Sequence, residues 1–90
     1  MLKINGFDHC IIGISQILGK DDFIVVYDTM EIVSTLQERD GMSEREAIEY
    51  FDYNIHGAYL GDYTPMFVTR CGVNKVDEWA DLTYCDNITH

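Results

Sequence analysis

The sequence predicts an α+β domain: a small three-stranded antiparallel sheet with two helices packed on one face, in ββααβ order, and a short C-terminal helix. Three observations carry this reading. Two runs rich in β-forming residues, "HCIIGISQIL" (9–18) and "FIVVYD" (23–28), flank the polar "GKDD" (19–22), the pattern of an antiparallel hairpin. Two helix-start signals follow, Asp28 with Glu31 and Ser43 with Glu46, each an acceptor side chain with a glutamate three residues on. A short apolar run, "MFVTR" (66–70), comes directly after the chain's only proline. Helices grouped between strands make an α+β layer, and 90 residues make one domain spanning 1–90.

Taken in order, residues 9–18 are too short and too β-branched for a helix, and Gly13 marks a bulge or a close approach within the strand. Asp28 ends the second strand and caps the helix "TMEIVSTLQER" (29–39), which turns Ile32, Val33 and Leu36 inward. Gly41 stands where a left-handed residue ends that helix. The second helix runs from about 44 to 59. At a regular 100° per residue it places Ile48, Phe51, Ile55, Ala58 and Tyr59 on the face toward the sheet. "LGDYTP" (60–65) stops it with a glycine and Pro65, which holds Thr64 extended ahead of the third strand. Val76, Trp79 and Leu82 share a face if "VDEWADL" (76–82) forms the terminal helix.

Sixteen acids against six bases give a net charge of −10, and residues 40–62 are the most acidic third, with six acids and one base. Such a field repels nucleic acid and anionic membranes and attracts basic partners, although it also serves solubility. No run approaches the roughly 20 apolar residues that span a bilayer. The N-terminus lacks a leader's long apolar segment, and three cysteines form an odd count. These features place the chain, as an expectation, in a cytoplasm with its thiols reduced and buried.

Cys10, Cys71, Cys85, His9, His56 and His90 could ligate a metal, but none shows the close paired spacing of a structural zinc site. His9 and Cys10 are adjacent on the expected strand and so point to opposite faces. No metal and no cofactor is therefore expected. Asp52 and His56, four apart on a helix, could form an oriented base, yet the same spacing is an ordinary surface contact. With no nucleophile elbow or phosphate loop, no catalytic residue is assigned and the chain is read as a non-enzyme.

The candidate binding face is the outer side of the second helix: Glu46, Glu49, Tyr50, Asp52, Tyr53, His56 and Gly57. Tyrosines suit interfaces because the ring is apolar while the hydroxyl still finds a partner. Gly57 costs a helix about 1 kcal/mol relative to alanine, which close approach of a partner backbone would explain. Cover by the C-terminal arm around Trp79 is the competing explanation of the same face.

The stretch 23–68, through its "VVYD" strand, its capped "RDGMSEREAIEYFDYNI" helix and its "GAYLGDYTPMFV" exit, resembles a family of small uncharacterised proteins of tailed bacteriophages and prophages. The likeness reaches weakly into "GFDHCIIG" (6–13) and implies a setting in the bacterial host cytoplasm, where small acidic phage proteins often inhibit host machinery, some by mimicking the charge of DNA. The resulting expectation is a non-enzymatic acidic protein that binds and occludes a basic or nucleic-acid-binding host protein, without touching nucleic acid or membrane itself. The alternative is a structural or assembly protein working as a homo-oligomer, most simply a homodimer, with strand edges or the tyrosine face buried against itself.

Overall fold

The computed structural model describes residues 2–57 and 61–72. A single 3-10 turn, Asp8–Cys10, leads into strand β1 (Ile11–Gln16), followed by β2 (Phe23–Asp28), helix α1 (Thr29–Asp40), helix α2 (Glu44–Tyr50), a π-helical segment (Phe51–His56) and β3 (Met66–Val68). The class is α+β, as the sequence predicts. The helix expected over 76–82 lies outside the described residues, as do Ala58 and Tyr59.

β1 and β2 pair antiparallel, with a register shift between Ile11 and Gly13. Of the bulge or close approach expected at Gly13, the shift fits the bulge, and nothing among the described residues would lie within 4 Å of a Cβ built there. The turn between them is closed by Ile17 N–H on the Asp22 carbonyl at 2.8 Å and Lys20 N–H on the Ile17 carbonyl at 3.0 Å. β3 departs from expectation: it pairs with β2 in parallel, Val26 opposite Met66 through Asp28 opposite Val68, so the sheet is mixed, in the order β1-β2-β3. The physical reason is the connection. Residues 29–65, which include α1, α2 and the π-helical segment, separate β2 from β3, and a connection of that length permits a parallel crossover that a short turn would forbid. β-propensity makes Met66–Val68 a strand but carries no information about its direction.

Asp28 begins α1 with its Oδ1 accepting from Met30 N–H (3.0 Å) and Glu31 N–H (3.3 Å), while its Oδ2 meets Arg70 Nε at 2.9 Å. One largely buried carboxylate thus caps the helix and ties down the chain beyond β3. Gly41, at φ 69°, ends α1 in the left-handed region that favours glycine. Ser43 and Glu46 form a reciprocal capping box: Ser43 Oγ accepts from Glu46 N–H (3.2 Å) and Glu46 Oε1 from Ser43 N–H (3.1 Å).

The core gathers Phe7, Cys10, Val25, Tyr27, Ile32, Val33, Leu36, Ala47, Phe51 and Ile55. Ile32 and Leu36 bury as expected, each worth roughly 1.5–3 kcal/mol. Tyr27 is fully buried and its hydroxyl accepts from Ile4 N–H at 2.8 Å, which draws the N-terminal segment over the sheet. Ile48, expected inward, is 39% exposed; Ala47 takes the inward position.

At the other end of the sheet, the loop before β3 locks onto the hairpin turn. Tyr63 Oη donates to Asp22 Oδ2 at 2.9 Å, and Lys20 Nζ meets Asp62 Oδ2 at 3.2 Å. No helix among the described residues is long and apolar enough to cross a membrane.

Candidate functional site

The second helical stretch carries every residue of the expected binding face, and its geometry divides them. From Phe51 the helix widens to the i→i+5 pattern. A wider ring turns less per residue, so positions after 51 rotate away from where a 100° progression places them. Phe51 and Ile55 remain buried. His56, expected on the outer side, swings round to stack on Phe51 (centroids 5.6 Å apart) and to meet Phe67 of β3 edge-on at 5.8 Å.

Gly57 has an intrachain reason. A Cβ built there would stand 3.0 Å from the Asp52 carbonyl oxygen, an atom brought close by the same widened turn. This close approach within the helix accounts for a glycine at 57 without a partner's backbone.

Two surfaces result. On the first, Met42, Glu46, Glu49, Tyr50, Tyr53 and Asn54 line a shallow depression of about 330 Å³. Tyr53 is 83% exposed and Tyr50 42%. Glu49 accepts from Arg45 Nε at 3.3 Å in an exposed i,i+4 pair. Glu46 is less free than its sequence position suggests, since its carboxylate is engaged in the capping box. Hydrogen bonding from the Ser43 backbone N–H, then from its side chain, holds that carboxyl below its ordinary value of 4.5.

On the second surface, Asp52 and His56 line a groove of about 360 Å³ together with Met30, Ile48, Phe51 and Phe67. Of the residues the sequence grouped together, Asp52 and His56 line this groove, and Glu46, Glu49, Tyr50 and Tyr53 line the first depression. The aromatic set Phe51, His56 and Phe67 left no local signal, because the π widening and the docking of β3 create it jointly.

His9 and Cys10 also depart from expectation. They occupy the 3-10 turn rather than a strand, and both address Thr35 of α1: His9 Nε2 lies 2.7 Å and Cys10 Sγ 3.6 Å from Thr35 Oγ1. The Thr35 hydroxyl donates to the Glu31 carbonyl at 2.8 Å, so its single proton is spent and the His9 N–H and Cys10 S–H act as donors. Burial pushes the Cys10 thiol up, which makes it a packing group and a poor nucleophile. Cys71, expected buried, is exposed, and Cys85 lies outside the described residues. Among the described residues no group of three or more potential ligands could hold a metal ion.

Comparisons with protein-family models, with curated proteins and with solved structures found no match to this chain.

Proposed function

We propose that this chain is a non-enzymatic, acidic binding protein of the phage type, which occludes a basic or nucleic-acid-binding protein of its host. The observation that carries the reading is the largely exposed Tyr53, beside Tyr50 and flanked by Glu46 and Glu49 on one helix face. A ring held in water at 83% exposure contributes nothing to the monomer's core, whereas burial against a partner supplies large apolar area at small entropic cost. Arg45 is the only base among residues 40–62, against six acids, so the surface favours lysine- and arginine-rich partners. Arginine in particular can stack on a tyrosine ring while pairing with a carboxylate.

The contact set is narrower than the sequence implied: Glu49, Tyr50 and Tyr53 at its centre, with Glu46 kept mainly for the helix cap. Occlusion needs only that the partner's basic surface be covered, and no group has to react.

The test is capture of host proteins at low and high salt, followed by purification of the retained protein and measurement of its affinity. A basic protein bound less tightly at high salt is expected. Tyr53→Ala should weaken it by about 2 kcal/mol, roughly thirtyfold in Kd, and Glu49→Lys should weaken it without unfolding the chain. Unchanged affinity in both variants would remove this face from the function.

A further inference from the structure

β1 is an edge strand that pairs with β2 and, among the described residues, with no other strand. Natural edges are usually blunted by charge, proline or irregularity. From His9 to Gly19 the chain has no lysine, arginine, aspartate, glutamate or proline, its longest run without a formal charge. The bulge is confined to the Ile11 end, leaving Gly13 to Gln16 in unbroken register with β2. Apolar side chains crowd this end of the sheet: Ile12 is 40% exposed, Ile14 57%, Phe23 40% and Leu18 99%. Neither the tyrosine face nor the His56 groove contains any of them.

We propose that two copies of this chain join through their β1 edges, antiparallel about a two-fold axis at Ile14, into one continuous six-stranded sheet. Charge selects both the occupant and the direction. Two molecules of net charge −10 repel, so their contact is most favourable where charge is missing. At the N-terminal end of β1 stand Lys3 and Asp8, paired at 3.2 Å; at its C-terminal end stand Lys20, Asp21 and Asp22, with Asp62 on Lys20. Asp8 and Lys20 lie six residues before and six after Ile14. Antiparallel pairing therefore brings the end of each copy that carries the Lys3–Asp8 pair toward the end of the other that carries Lys20, Asp21 and Asp22. Parallel pairing would instead face the Asp21 and Asp22 pairs of the two copies against each other. At the axis the two Ile14 side chains become direct cross-strand neighbours and lose their exposure to water.

The contact rests on a different element from the tyrosine face and can fail or hold independently of the occluding role. The experiment is sedimentation equilibrium of the full chain across a concentration series. A mass of twice 10.4 kDa is expected, with association tightening as salt screens the repulsion between copies. Ile14→Lys should return the mass to 10.4 kDa with an unchanged circular dichroism spectrum, because the side chain is more than half exposed in the monomer. In a Cys71→Ser, Cys85→Ser background, Ile14→Cys should oxidise to a covalent dimer, since directly opposed strand residues lie within disulfide reach. Tyr53→Ala should leave the mass at twice 10.4 kDa. A mass of 10.4 kDa at every concentration, or a dimer that Ile14→Lys leaves intact, would overturn the proposal.

Discussion

Asp28, Thr35 and Glu46 each serve more than one neighbour. Asp28 divides its two oxygens between the α1 cap and Arg70. The Thr35 oxygen receives His9 and Cys10 while its proton goes to Glu31. Glu46 lines the depression beside Tyr50 and Tyr53 while its carboxylate closes the capping box. That role has a pH signature. The folded carboxyl is held below its ordinary 4.5, so the unfolded chain takes up the proton first on acidification. The stabilisation is present above the ordinary value and is lost as pH falls through the lower, folded one. Glu46→Gln should therefore flatten the acid side of the stability curve, measured as Tm from neutral pH downward, while changing stability at neutral pH only modestly. The sequence showed the capping box itself, since its two partners are three residues apart.

At the scale of elements, the π-helical segment decides most about the candidate site. It retains Phe51 and Ile55 in the core, carries His56 onto Phe51 and Phe67, and leaves Tyr53 in water. Gly57 completes it, with room for a hydrogen where a methyl would meet the Asp52 carbonyl at 3.0 Å. In an ordinary exposed helix, replacing glycine by alanine stabilises by up to about 1 kcal/mol. Here the sign should reverse: Gly57→Ala is expected to destabilise by on the order of 1 kcal/mol, because a backbone carbonyl must move to admit the methyl. Chemical denaturation of the two proteins checks this, and a stabilised variant would show that the turn relaxes freely. No residue between 51 and 56 announces the widened turn; the regular periodicity that found Phe51 and Ile55 gave no sign that the exposed His56 would stack on Phe51.

Across the whole molecule, charge and sheet geometry act together. A chain of net charge −10 works against its own compactness, and the exposed ion pairs Lys3–Asp8, Lys20–Asp62 and Arg45–Glu49 return little. Added monovalent salt should therefore raise Tm, since screening relieves repulsion among sixteen acids more than it weakens these few pairs. A Tm that falls with salt would mean that ion pairing outweighs the net repulsion. The β1 edge, within the stretch from His9 to Gly19, carries none of that formal charge.

The sequence by itself determined the local elements: the hairpin runs, the caps at Asp28 and Ser43, the stop at Gly41, and the inward Ile32, Val33 and Leu36. These follow from interactions a few residues apart, where spacing and side-chain type suffice. Only the tertiary structure decided that β3 runs parallel to β2, that His9 and Cys10 converge on Thr35, that Arg70 returns to Asp28, and that Asp52 and His56 line a different groove from Tyr50 and Tyr53. Each of these depends on how a long connection closes or how a helix deforms under packing. Such outcomes are set by the free energy of the assembled core, to which residues distant in sequence contribute jointly.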